Sequence, residues 1–263
     1  MHQQGLRVIV QRDPLFDLDG KVVLVTGAAG GLGSAISRAF AARGAKLVLT
    51  DLDQEHIDHL AAHLGGSSIV DTAVLDIRDE AAVEKTIQDV VARHGRLDGL
   101  INAAGIFRIA PITEMKSDDF TASIASNLTG PFFLTRAAAR VMGQADGGRI
   151  LHLASVSSVV ANKDYAAYAA SKAGLSQMIR VAARELAPKG VTVNAIGQAL
   201  TETPLTEEVL SEQSRRADIL SQIPMGRLCE PMDILAAAIL LMAPGGSFIT
   251  GQTLYVDGGR TLV

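Results

Sequence analysis

The sequence predicts one α/β domain, a doubly wound and mostly parallel seven-stranded sheet with helices on both faces. Three observations carry this. Short β-branched runs alternate with helical segments along the whole chain, with no internal break in composition. The runs are continuously apolar, as in KVVLVT at 21–26, which marks strands buried on both faces and hence a parallel sheet. The first run ends in a glycine-rich turn that opens a helix and leads to a second strand, a βαβ unit.

Composition bounds the function. The chain has 263 residues, 48% apolar and 20% charged, enough for the core of one large domain. A net charge of −4 without a basic block argues against nucleic acid or an anionic membrane as partner. The single cysteine, Cys229, leaves no internal disulfide and no Cys-rich metal site. His56 and His59 are three apart but sit among polar residues of a surface helix, so no metal is expected. No apolar run is long enough to span a membrane. Residues 1–18, whose apolar core before Leu15 is only Leu6 and 8–10, read as an extension too weak to be a secretory signal. The domain is therefore placed at 19–263 and the protein in the cytoplasm.

In order, strands are expected at 21–26, 46–50, 68–75, 97–101, 148–154, 191–196 and 251–256. Helices are expected at 34–43 with Gly44 as stop, at 54–64 stopped by Gly65-Gly66, and from an Asp79 cap through Val91 to Gly95. A long helical stretch covers 117–142, with Gly130 and Pro131 as mild breakers beside Asn127. Further helices run from about 166 to Ala187 and over 231–243. Residues 197–226 are polar and irregular, a candidate substrate lid.

The chemistry clusters at the strands' C-terminal ends, where doubly wound sheets bind ligands. Thr26-Gly27-x3-Gly31-Leu32-Gly33 has the make-up of a phosphate cradle, backbone N–H groups and a helix N-terminus facing an anion, although a ligand-free turn would also use glycines. Asp51 follows the second strand, placed either to accept from adenosine ribose hydroxyls or to cap the next helix. A carboxylate there repels a 2′-phosphate, and Ala29, Gly30, Leu52 and Asp53 supply no compensating cation, so NAD is expected over NADP. Asn102-Ala103-Ala104-Gly105 ends the fourth strand in small residues, leaving room for a flat ligand or making a tight turn. Tyr168 and Lys172, four apart in an Ala-rich helix, share a face. The ammonium is expected to lower the tyrosine pKa from its ordinary value of about 10 and make it a proton-transfer group, although the pair alone also suits a solvated helix face. Tyr165 lacks a lysine at that spacing and is assigned to the entrance or surface, and His152 to packing beside a helix. Ser157 and Ser158 are alternatives to Ser155 but lie past the strand end.

Taken in this order and spacing, Thr26-Gly27-x3-Gly31-x-Gly33, Asp76, 102–105, Asn127, Ser155, Tyr168-x3-Lys172 and Val193-Asn194-Ala195-Ile196 resemble the short-chain dehydrogenase/reductase family over 18–260. The resemblance implies a single-domain Rossmann fold with NAD as cofactor. It implies Tyr168 as general acid/base, Ser155 on the same substrate oxygen, Lys172 tuning the tyrosine and holding the nicotinamide ribose, and Asn127 in a proton relay. Asp76 and Ile77 would contact adenine, 102–105 the adenosine side, and Thr203 the carboxamide. Leu52, beside Asp51, joins the cofactor set. The chain departs from the family at Ala103 for asparagine, and at Gln198-Ala199, where the family has Pro-Gly. The glutamine either meets substrate or is neutral drift.

The expected function is hydride transfer between NAD(H) and a secondary alcohol or ketone, with a small polyol, cyclic or other hydroxy compound as substrate. The pocket would draw on Ile106, Phe107, 156–162, 198–200 and 203–226. A 3-oxoacyl-carrier-protein reductase, which would prefer NADPH, is the close alternative. A catalytically silent NAD-binding scaffold is the distant one. A homotetramer or homodimer is expected, packed through the Ala-rich faces of 117–142 and 166–187.

Overall fold

The computed structural model describes residues 13–64, 69–145 and 147–263. Residues 1–12 of the expected extension, and the Gly65-Gly66 stop, lie outside them. Strands β1 (Val22–Thr26), β2 (Lys46–Asp51), β3 (Ile69–Val74), β4 (Gly99–Asn102), β5 (Gly148–Leu153), β6 (Val191–Gln198) and β7 (Thr253–Val256) form one sheet in the order β3-β2-β1-β4-β5-β6-β7. All these pairings are parallel. Every residue of β1 is buried, as its unbroken apolar run requires. The chain leaves β1 for β2 on one side and returns to β4 on the other, which opens a crevice above β1 and β4.

The helices are α1 (Gly31–Ala41), α2 (Gln54–Leu64), α3 (Glu80–His94), α4 (Ser117–Ile124), α5 (Gly130–Met142), α6 (Ala166–Leu186), α7 (Glu207–Ser211), α8 (Gln213–Ser221) and α9 (Leu235–Met242). Alternate residues of β1 face opposite cores. Val23 and Val25 pack with Ile36 and Phe40 of α1, Ile57 of α2 and Ile239 of α9. Val22 and Leu24 pack with Ile87 of α3, Leu134 of α5 and Ile179 of α6. The Asp79 carboxylate accepts the Ala82 N–H at 3.0 Å, and Gly95 ends α3 at φ 73°, a left-handed conformation that glycine adopts without strain.

Several boundaries differ from expectation. The 117–142 stretch is not one helix: a five-residue π-helical turn, Ala125–Thr129, separates α4 from α5. The turn carries Asn127, next to the breakers Gly130 and Pro131. α1 starts at Gly31, inside the glycine-rich turn, because the helix N-terminus is part of the cradle. β6 runs to Gln198, two residues past 196, paired by β7 up to Val256. The last helix opens with a 3-10 turn, Pro231–Ile234. The 197–226 stretch holds α7 and α8 and closes over the crevice with Thr201 bridged to Cys229. At the other end of the sheet, Leu18 is buried in the core and the Leu15 carbonyl accepts from Gly245 N–H at 2.9 Å. No described helix is long and apolar enough to cross a membrane.

Candidate active site

The crevice holds a cleft of about 510 Å³, lined by 27, 29–33, 51–53 and 75–78 together with Ala103 to Gly105, Thr203 and Leu205. Its floor needs glycine. Gly27 has φ +68°, and a Cβ there would lie 2.4 Å from Ala104 N; at Gly33 it would lie 2.0 Å from the Gly27 carbonyl. The cradle therefore packs backbone against backbone, leaving the α1 N-terminus facing the cleft. Asp51 braces the turn as well as lining it: Oδ2 accepts from Ala29 N–H at 2.9 Å and Oδ1 from Leu52 N–H at 2.7 Å. Asp76 and Ile77 also line the cleft, with Asp76 in a two-pronged bond to Arg78 that holds its carboxyl below the usual range. A dinucleotide's adenosine and pyrophosphate fit these residues: a backbone N–H cradle, an Asp51 rim for hydroxyl donors and small Ala103-Ala104-Gly105 beside it.

Asn102 sits elsewhere. Its side chain is buried beneath the cleft and accepts from Thr26 Oγ1–H at 2.7 Å, while its Nδ2 lies 3.4 Å from His152 Nδ1. Thr135 Oγ1 donates to the Pro131 carbonyl at 2.8 Å and so must accept at 2.9 Å from His152 Nε2–H. The proton of His152 is therefore on Nε2, and Nδ1 is free to accept from Asn102. Burial holds the imidazole neutral, its pKa down at about 3. This polar chain ties β1, β4, β5 and α5 together and holds the Asn102 side chain outside the cleft lining that Ala103 to Gly105 form.

Three shared lining residues, Leu32, Thr203 and Leu205, join the cleft to a smaller chamber of about 90 Å³. Ser155 enters it just beyond β5, and Tyr168 from the first turns of α6. Ser155 Oγ also accepts from Ser157 N–H at 3.1 Å, which fixes its rotamer. Tyr168 stands edge-on to Phe107, 4.8 Å between centroids at 82°, and Phe107 stands edge-on to Tyr165. Tyr165 is thus a buried chamber wall rather than a surface residue.

Lys172 is buried, with its ammonium 5.7 Å from the Tyr168 ring centroid and donating to the Leu153 carbonyl at 2.6 Å. The expected depression of the tyrosine is absent. Desolvation pushes the Tyr168 pKa up to about 12, and the opposing influence is the Ser155 hydrogen bond rather than Lys172. Desolvation also brings Lys172 down to about 8. Asn127 is buried behind them. Its Oδ1 accepts from Ile106 N–H and its Nδ2 donates to the Ile106 carbonyl, both at 2.9 Å, and to Ser171 Oγ at 3.1 Å. It clamps the 102–106 strand end to α6. A Cβ on Gly105 would lie 2.9 Å from Asn127 Oδ1, so glycine is what lets Asn127 reach the neighbouring Ile106 backbone.

The remaining chamber wall comes from distant segments. Asn162, Gln198, Gln222, Ile223 and Arg260 line it. Arg260 Nη2 donates to Asn162 Oδ1 at 3.0 Å and to Gln222 Oε1 at 2.6 Å. Arg260 was not foreseen; the only sequence cue is a cation directly after Gly258-Gly259. Of the decoys, Ser158 donates to the Lys172 carbonyl, while Ser157 accepts from Asn162. Among the described residues no group of His, Cys, Asp and Glu is placed to hold a metal.

Fold and site together are those of the short-chain dehydrogenase/reductases, and the chain belongs to that family, whose members are oxidoreductases using a nicotinamide cofactor. A family model described as enoyl-(acyl carrier protein) reductase matches residues 27–261. The chain is 39% identical over 249 residues to a D-threitol dehydrogenase of Mycolicibacterium smegmatis, covering 94% of this chain and 95% of that one. It is 38% identical to a 3-oxoacyl-(acyl-carrier-protein) reductase of Thermotoga maritima, covering 93% and 99%. Among solved structures, a gluconate 5-dehydrogenase from Burkholderia cenocepacia in complex with NADP and tartrate superposes with TM-score 0.91 at 33% identity, covering 95% of this chain and 98% of that one.

Proposed function

We propose that the protein interconverts a secondary alcohol and its ketone with NAD(H), using Tyr168 as general acid/base. The observation that carries this is the junction of a dinucleotide-sized cleft with a small chamber into which Ser155 and Tyr168 both project. A nicotinamide dinucleotide bound in the cleft would supply or accept the hydride. Gly27, Gly31, Gly33 and the start of α1 would hold its phosphates, Asp51 its adenosine ribose, and Thr203, where cleft and chamber meet, its carboxamide.

The chain's own contribution is proton transfer and charge placement. Tyr168 Oη gives its proton to the ketone oxygen in reduction and takes it from the hydroxyl in oxidation. Before substrate binds, the Ser155 hydroxyl hydrogen-bonds Tyr168 and favours the phenolate; with substrate in place it turns its single proton to the reacting oxygen. The Lys172 ammonium, held by the Leu153 carbonyl, would meet the nicotinamide ribose hydroxyls of a bound cofactor, and Asn127 keeps the Ile106 and Ser171 backbone and hydroxyl groups in register for a relay.

Two features support NAD over NADP. Asp51, Asp53 and Asp76 all line the cleft, and the arginine beside them, Arg78, is engaged by Asp76, while the His56 ring is hydrogen-bonded to Asp53 at 2.6 Å. The relatives that are 3-oxoacyl-(acyl-carrier-protein) reductases support an alternative in which the ketone sits on a carrier-bound thioester. The test is the absorbance of NADH and NADPH against a panel of small secondary alcohols, polyols and an acetoacetyl thioester. Higher kcat/KM with NADPH and the thioester would favour the alternative. Dinucleotide binding without turnover of any compound would favour a silent binding protein.

The proposal includes a cytoplasmic homotetramer or homodimer. Phe120 on α4, Phe132 on α5 and Val181 on α6 are exposed apolar side chains on the helices expected to pair. Light scattering that finds a monomer at micromolar concentration would remove this part.

A further inference from the structure

Gln198 is the residue of the chamber that the proposed reaction leaves without a task. It ends β6, held by its pairing with Val256, and its side chain lines the chamber together with Ser155 and Tyr168. Its Oε1 is buried and has no hydrogen-bond partner among the described residues, so a donor in the chamber reaches it through a rotation of the terminal amide. A buried acceptor without a donor is costly, and native structures rarely keep one without use. Two donors of the same chamber wall are engaged elsewhere. Arg260 Nη2 is occupied by Asn162 and Gln222, and Asn162 Nδ2 donates to Ser157.

We propose that Gln198 is a specificity residue whose amide oxygen accepts from a substrate hydroxyl on the carbon next to the reacting one. The inference rests on the alcohol–ketone reading above and narrows its substrate class to compact vicinal diols and the corresponding α-hydroxy ketones. Ser155 and Tyr168 hold the reacting oxygen, and Gln198, from the adjacent strand of the sheet, faces the same small chamber. The chamber's scale, about 90 Å³, suits a substrate of few carbons whose second hydroxyl falls within reach of its wall. A monohydric alcohol, a cyclic ketone or a 3-oxoacyl thioester has no hydroxyl at that carbon and leaves Oε1 unpaired. The extra polarity at the Asn162–Gln222–Arg260 wall is in keeping with a substrate bearing oxygen on more than one carbon.

The test compares matched pairs that differ by that one hydroxyl. Kinetics uses 2,3-butanediol against 2-butanol with each dinucleotide. Binding, which needs no turnover, uses acetoin against 2-butanone on the NADH complex, read by NADH fluorescence. The wild type is expected to favour the hydroxyl-bearing member by about 10- to 100-fold, since a polar site discriminates strongly against an analogue lacking its partner. Gln198→Met, near-isosteric but without the acceptor, should bring both ratios to within about threefold of unity. NADH binding by the variant checks that it is folded. A wild type without preference, or a Gln198→Met variant that keeps it, overturns the inference. Discrimination in binding without turnover of either alcohol would instead remove the proposed reaction and leave Gln198 as the reader of the hydroxyl. Turnover without discrimination does the reverse.

Discussion

Replacing Lys172 by methionine should destroy turnover and make the protein more stable at neutral pH. Lys172 is 6% exposed, and desolvation brings its pKa from 10.5 down to about 8. That gap is a cost to the folded, charged form of about 3 kcal/mol. The Leu153 carbonyl returns part of it through a hydrogen bond at 2.6 Å, worth about 1.5–3 kcal/mol for a charged donor. Methionine removes both effects and fills similar space, a net gain of roughly 1 kcal/mol near pH 7. The pH dependence is the sharper test. Because the folded pKa is the lower one, the unfolded chain holds more protons between pH 8 and 10.5, and the wild type gains stability as pH rises through that window. Between about pH 7 and about pH 9.5 the gain is ~2 kcal/mol. The variant lacks this term. Urea denaturation of both proteins at the two pH values should show the variant's advantage shrink and reverse. A difference that stays constant with pH, or widens, would refute the assignment of Lys172 as a buried, strained cation.

Tyr168→Phe should lower kcat by at least about 1,000-fold with NADH binding intact, because only the proton-transfer oxygen is lost. Stopped turnover with a normal NADH fluorescence titration is the expected pair of results. Ser155→Ala should cost about 100-fold or more in kcat and move the rising limb of the oxidation pH–rate profile to higher pH, since the hydrogen bond that lowers the Tyr168 pKa is gone. An unmoved limb would separate Ser155 from the tyrosine. Asp51→Ser should raise kcat/KM for NADP relative to NAD by about 10-fold or more, because it removes a carboxylate from the ribose end of the cleft; steady-state kinetics with both dinucleotides checks it. Gly27→Ala should abolish dinucleotide binding or folding, because its Cβ would lie 2.4 Å from Ala104 N at a positive φ. Calorimetric titration with NADH, alongside circular dichroism, distinguishes the two outcomes.

The strand runs were legible because burial on both faces demands continuous apolar residues, a demand visible within five or six positions. The βαβ cradle was legible through its glycine spacing after a strand: Gly33 answers the Gly27 carbonyl six residues before it, whereas the need for glycine at Gly27 is set by Ala104, far along the chain. Asn127 beside Gly130 and Pro131 pointed to an irregular helix, and the π-helical turn lies there. What could not be read was how far a side chain sits from water. Tyr168 and Lys172 at four-residue spacing suggested an ammonium lowering a phenol, yet the two groups share a desolvated site that moves the tyrosine up and the lysine down.

Asn102 and Arg260 mark the same boundary from opposite directions. Asn102 stands in a motif that ends a strand at the cleft, but its side chain turns into a chain of hydrogen bonds through His152 to Thr135, residues 50 and 33 positions away in sequence. Arg260 belongs to no motif and reaches the chamber only because β7 lies beside β6. The sequence by itself determined the fold class, the cradle and the set of groups able to move a proton, since these rest on periodicity, backbone sterics and residue chemistry. The tertiary structure alone decided which of those groups face a common chamber, which way burial shifts their pKa values, and that Gln198 is left with an unpaired oxygen. Desolvation and packing act through space, between segments whose separation along the chain carries no trace of their contact.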